Sequence, residues 1–122
     1  MAKNCGEKMR KFKFSYDSDN DDLLIYDSSS KSKGSVEMGD IILDYDNNKK
    51  LVGVQIMNAS VFLKNVSESG QDLLDNLTEC SFEVKDQKNM KIVKIILKSN
   101  NSCVESVISV PGIESSPALV YT

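Results

Sequence analysis

Apolar and polar positions alternate through the first half of the chain. Phe12, Phe14 and Tyr16 are separated by Lys13 and Ser15, the period of two that lays one face of a strand on a core. Leu23-Leu24-Ile25-Tyr26 follows the polar loop Asp17-Ser18-Asp19-Asn20-Asp21-Asp22, and two short apolar runs joined by turn-forming residues predict a β-hairpin. An exposed connection from Ser28 to Gly34 leads to a second hairpin. It begins with Val36 and Met38, passes an irregularity at Gly39-Asp40 and continues from Ile41 to Tyr45. Asp46-Asn47-Asn48-Lys49 supplies the turn, because Asn and Asp tolerate the positive φ of tight hairpins. Leu51 to Met57 returns, and Gly53 within it predicts a bulge or a close packing contact.

The period then changes from two to 3.6. Ala59, Phe62, Leu63 and Val66 fall on one face of a short helix, with Asn58 or Ser60 at its cap. Ser69 as cap, Asp72 three residues on, and Leu73, Leu74 and Leu77 on one side predict a second. Helices this short must lean on a sheet. Strand signals resume at Phe82 and Val84, turn at Asp86-Gln87-Lys88-Asn89, and run from Met90 to Lys98. There Val93, Ile95 and Leu97 share one face, while Ile92 and Ile96 share the other with Lys94 and Lys98, which predicts one buried and one partly covered side. Cys103 to Val110 forms the last strand, ended by Pro111-Gly112.

The expectation is an α+β, strand-dominated fold of about seven or eight antiparallel strands, with one or two short helices near residues 59–79. Residues 1–11 read as a basic arm, 12–112 as a single β-rich domain with halves at 12–63 and 67–112, and 113–122 as a tail. Phe14-x-Tyr16-Asp17 echoes Phe82-x-Val84-x-Asp86, and shared hairpin chemistry explains the echo without duplication.

Composition narrows the chemistry. The 122 residues are one domain's worth of chain and contain no His, which removes Ser-His-Asp and Cys-His nucleophiles, imidazole bases and His-ligated metal. A net charge of -3 and a pI near 4.9 argue against nucleic acid as a partner. The only Arg is Arg10, in a basic run of Lys8, Arg10, Lys11 and Lys13 that is the one place to touch phosphate and reads first as a solvated lead-in to β structure. Cys5, Cys80 and Cys103 are odd in number and widely spaced, so no disulfide framework or zinc site is expected, and free thiols point to a reducing compartment. With no run long enough to span a membrane and a polar N-terminus, the expectation is a cytoplasmic protein without membrane contact.

Asp17, Asp19 and Asp21 stand at positions 1, 3 and 5 of an EF-hand-like spacing, the candidate metal ligands of the chain. Position 6 is Asp22 rather than Gly and position 12 is Ser28 rather than Glu. The simpler reading is a hairpin loop whose carboxylates cap backbone amides. Asp40, Asp44 and Asp46 are candidates for acid–base work by type alone. No catalytic residue and no cofactor are expected.

Taken in order, Tyr16-Asp17-Ser18-Asp19-Asn20-Asp21-Asp22-Leu23-Leu24-Ile25, then Asp40-Ile41-Ile42-Leu43-Asp44-Tyr45-Asp46, then Leu51-Val52-Gly53-Val54-Gln55-Ile56 and Asn58-Ala59-Ser60 resemble the DUF2283 (YuzE-like) family. The likeness covers residues 12–63. Leu24, Asn48 and Gln55 depart from its usual Tyr, Gly and Glu. The resemblance implies a β-hairpin module with a short following helix and no established activity, and marks Tyr16, Asp21, Asp44 and Asn58 as the polar positions of the motif. From Ser67 on, the chain looks like the extension of longer archaeal relatives. The expected function is a non-enzymatic interaction or structural module, homodimeric because exposed edge strands need cover. Alternatives are an antitoxin-like or nucleic-acid-associated regulator, and divalent-cation binding through the Asp17–Asp22 loop.

Overall fold

Eight strands and two six-residue helices make up the computed structural model, which describes residues 12–64, 70–87, 90–100 and 102–111. They run β1 (Phe12–Asp17), β2 (Asp22–Asp27), β3 (Gly34–Met38), β4 (Ile41–Tyr45), β5 (Leu51–Met57), α1 (Ala59–Lys64), α2 (Gly70–Asp75), β6 (Leu77–Gln87), β7 (Met90–Ser99) and β8 (Cys103–Pro111). The fold is α+β and strand-dominated, with all pairings antiparallel.

The strands divide into two sheets. A five-stranded sheet has the order β1-β2-β5-β4-β3, and a three-stranded meander has the order β6-β7-β8. In the first sheet the β3–β4 hairpin is inserted between β2 and β5, so that β5 pairs with β2 on one side and β4 on the other. The period of two then sorts the side chains. Leu23, Ile25, Leu43, Tyr45, Val54 and Ile56 turn to one face; Cys80, Phe82, Val93, Ile95 and Leu97 meet them from the second sheet in one continuous core. The Phe12 and Phe82 rings bridge the sheets edge-on, 4.6 Å apart at 62°, a geometry worth about 0.5–1.5 kcal/mol beyond the area it buries. Ala59 and Leu63 of α1 and Leu73 and Leu74 of α2 close the same core, which is how helices of under two turns persist.

The strand signals of the sequence match these elements with two exceptions: β6 starts at Leu77 rather than near Phe82 and keeps Asp86 and Gln87, read as turn, paired with Lys91 and Met90, and Gly34, read as the end of an exposed connection, is buried at the start of β3. Ile96 on the second face of β7 is 2% exposed, and Ile92 beside it is half-buried. Across that face Lys94 lies 3.7 Å from Glu83 and 3.5 Å from Glu105. Gly53 is a close-packing glycine: a Cβ there would lie 3.0 Å from Oδ2 of Asp44.

Three further expectations need correction. The second helix ends at Asp75, and Leu77, read as its last apolar position, starts β6 opposite Ser99; the long β6–β7 ladder captures the residue from a helix too short to compete. In the β4–β5 turn the positive φ belongs to Lys49, at 65°, rather than to either Asn. The side chain of Asp46 instead accepts the N–H groups of Asn48 at 2.8 Å and Lys50 at 3.0 Å. Third, the thiols are not all free. Cys80 is, and burial with Glu79 beside it pushes that thiol up to about 12, but Cys103 is disulfide-bonded, which removes the premise of the reducing-compartment argument. Ser69, Val66, Cys5, the arm with Lys8, Arg10 and Lys11, and the tail at 113–122 lie outside the described residues. Among the described residues no helix is long and apolar enough to cross a membrane.

Candidate functional site

Asp21 ends the β1–β2 turn in a left-handed conformation, φ 57°, which aims its carboxylate away from the loop and at the start of α1. Three groups donate to it: the Tyr16 hydroxyl at 2.6 Å, the Ser60 hydroxyl at 2.6 Å, and the Ser60 N–H at 3.1 and 3.2 Å from its two oxygens. The backbone carbonyl of Asp21 also accepts the Ala59 N–H at 2.9 Å. A carboxylate from 39 residues upstream therefore caps α1, a task the local sequence assigned to Asn58 or Ser60. Asn58 takes the left-handed φ of 54° that starts the helix, and its carbonyl accepts from Val61 and Phe62. Gln71 of α2 completes the group, its Nε2 lying 3.4 Å from the Tyr16 oxygen and 3.0 Å from Oδ1 of Asp75.

The electrostatics follow from these contacts. Burial alone would raise Asp21, but the hydrogen bonds from Ser60 and Tyr16 outweigh it and hold the carboxyl below the usual range. Tyr16 is raised, by burial first and then by donating to Asp21. A carboxylate kept ionised and surrounded by donors is a structural anion, and a phenol pushed upward is no general base at neutral pH.

The other Asp residues of the loop do not join it. Asp17 accepts the N–H groups of Asp19 at 3.0 Å and Asn20 at 3.3 Å and the Asn20 side-chain amide at 2.7 Å. Those bonds, the Asn20 amide above all, hold its carboxyl below the usual range. Asp17 thus closes its own loop while Asp21 faces the helix, and among the described residues no group of three His, Cys, Asp or Glu side chains is placed to hold a metal ion.

Asp44 is separated from Tyr16, Asp21 and Asn58. It lies on the face of the five-stranded sheet opposite the core, in a cross-strand row with Lys13, Tyr26, Gly53 and Ser35. Asp22, next to Asp21, pairs in a row four residues further along β2, roughly 13 Å away at the rise of a strand. Burial pushes the Asp44 carboxyl up. This outer face carries apolar side chains: Leu24, Ile42 and Met57 are half-buried and Tyr26 is 37% exposed.

A cleft of about 470 Å³ opens on the other side of the molecule, between the β4–β5 turn and the β6–β7 hairpin, lined by Phe12, Tyr45, Phe82 and Val93 with Lys49, Lys50 and Lys91 beside them. Sequence reading missed this cleft, since its walls are drawn from both sheets. It also missed Gln71 and the capping role of Asp21; only the order of Asp21 and Asn58-Ala59-Ser60 within the family motif hinted at the latter.

Comparison with known proteins covers the same ground. The family described as protein of unknown function (DUF2283) matches residues 13–60. The uncharacterized protein MJ0789 of Methanocaldococcus jannaschii is 40% identical over 87 residues, 71% of this chain and 72% of that protein. A Methanosarcina mazei protein named putative hypoxanthine phosphoribosyltransferase is 24% identical over 103 residues, 84% of this chain and 82% of that one. No solved structure matches. The family match contains Tyr16, Asp21, Asp44, Gly53 and Asn58 and reaches Ser60, so the clamp that joins the first hairpin to α1 lies within it, and by this match and the M. jannaschii relative the chain belongs to the DUF2283 family.

Proposed function

We propose that this chain is a non-enzymatic interaction module that pairs with a second copy of itself through the outer face of its five-stranded sheet. The observation that carries the reading is the apolar content of that face, with Leu24, Tyr26, Ile42 and Met57 on the side away from the core; contiguous apolar surface on a sheet marks an interaction site. Charge supports the pairing. Lys13 stands on β1 at one edge of the sheet and Glu37 on β3 at the other. A two-fold axis along β5 lays β1 of one copy over β3 of its partner and brings these opposite charges together at both rims. Two of the polar motif residues favour the same reading, because Tyr16 and Asp21 are occupied with each other and with Ser60.

Among the described residues, the start of α1 lends no support to the phosphoribosyltransferase name of the M. mazei relative. Gripping a diphosphate calls for open amides at a helix N-terminus, and the start of α1 is filled by the carboxylate of Asp21. Sedimentation velocity tests the proposal: a dimer is expected at micromolar concentration, and Tyr26→Glu with Ile42→Glu should give a monomer with an unchanged circular dichroism spectrum. A monomeric parent, or a dimer indifferent to both substitutions, would overturn it.

A further inference from the structure

We infer that the cleft between the two sheets binds a small amphipathic anion, an apolar body carrying one carboxylate or phosphate. Its volume of about 470 Å³ falls within the roughly 300–1,000 Å³ of small-molecule sites. The base is apolar and aromatic: half-buried Phe12 and Val84 are its accessible members, and Phe82, edge-on to Phe12, packs behind them with Tyr45 and Val93, each 1% exposed. The mouth is cationic. Of its charged groups, Lys91 pairs with Asp86 at 3.1 Å, Glu83 at 3.7 Å shares Lys94 with Glu105 at 3.5 Å, and Lys49 and Lys50 have no carboxylate partner among the described residues. Both lysines sit on a turn fixed from within: the Asp46 carboxylate accepts the Asn48 and Lys50 N–H groups, and the Asp46 carbonyl accepts the Lys49 N–H at 3.1 Å. Two uncompensated ammonium groups held over an apolar floor select a ligand that is apolar at one end and anionic at the other. This site lies on the opposite side of the five-stranded sheet from the proposed dimer face, so either can fail without the other.

Titration with 1-naphthyl phosphate, 1-naphthoate and the neutral 1-naphthamide tests it, read by naphthyl fluorescence and by backbone amide shifts in two-dimensional NMR. Both head groups belong to the inferred class, and the tighter of the two anions identifies the preferred one. Saturable binding is expected, with shifts centred on Lys49, Lys50, Phe82 and Val93. At least one anion should bind about fivefold tighter than the amide, the scale of two exposed charge pairs, and this advantage should shrink as salt is raised. The double variant Lys49→Gln, Lys50→Gln should reduce the anions to the affinity of the amide, while Lys85→Gln, an exposed lysine outside the cleft, should change nothing. Equal binding of the neutral probe, shifts centred elsewhere, an anion advantage that survives the double variant, or no saturable binding by a folded protein would overturn the inference.

Discussion

Asp21 and Asp44 are carboxylates of one family motif in contrasting surroundings. Asp21 receives hydrogen bonds from Tyr16 and Ser60 and joins the first hairpin to α1. Asp44 lies half-buried on the outer face opposite Gly53 of the paired strand, and burial is what shifts it. The difference teaches that partial burial does not set the character of a carboxylate here; the supply of donors does. Asp21, held below its ordinary value of 3.8, adds stability that is complete above that pH and is lost as pH falls through its lowered folded value. Asp44 has the opposite sign. Raised above 3.8, it favours the fold only below that pH, and the benefit disappears as pH rises through its raised folded value.

The largest expected effect is at the clamp. Asp21→Ala removes the cap of α1 and strands the Ser60 N–H and the Tyr16 hydroxyl, at a cost of about 2 kcal/mol. A lower urea midpoint with an unchanged slope is expected, together with a flatter loss of stability in acid. A cost near zero would mean that water satisfies these groups equally well and that the contrast with Asp44 is empty.

Gly53→Ala comes next. The added methyl meets Oδ2 of Asp44 at 3.0 Å, and forcing the two apart should cost about 1 kcal/mol. Repeating the substitution in an Asp44→Ala background should recover most of that loss, as a double-mutant cycle of denaturation midpoints would measure. Strictly additive losses would locate the role of Gly53 in its backbone rather than in this contact.

The smallest effect carries the opposite sign. Asp44→Asn removes a desolvated charge and should stabilise the protein at neutral pH by roughly half a kcal/mol, a figure kept low because water still screens the group. Melting curves should show that gain shrinking as the pH falls below 3.8, where the native carboxyl is protonated as well. A loss of stability instead would reveal a favourable contact made by the ionised form.

Most strands were legible because alternation or a short apolar run announces them, and the hairpins of the first sheet because Asp, Asn and Gly mark their turns; β6 was read only from Phe82, five residues after it begins at Leu77. The clamp was half legible. Its members could be named from the ordered motif, but Asp21 and Ser60 are 39 residues apart, and Gln71 stands 55 residues from Tyr16; no local pattern ties such positions together. Asp44 was read by residue type alone; its half-burial comes from the strands beside it, which set Gly53 directly opposite. Leu77 was misassigned because helix and strand periods both accept it, and only the pairing with Ser99 decides.

The sequence by itself determined the antiparallel, strand-dominated class, the approximate turns of the first sheet, the family, and the absence of imidazole chemistry, since these depend on residue type and on patterns a few residues long. The tertiary structure alone decided that the strands divide into two sheets, that a distant carboxylate caps α1, and that two lysines of a turn stand over an aromatic floor formed in part by the other sheet. Each of these joins residues whose separation along the chain bears no relation to their separation in space, and packing of the shared core is what sets that distance.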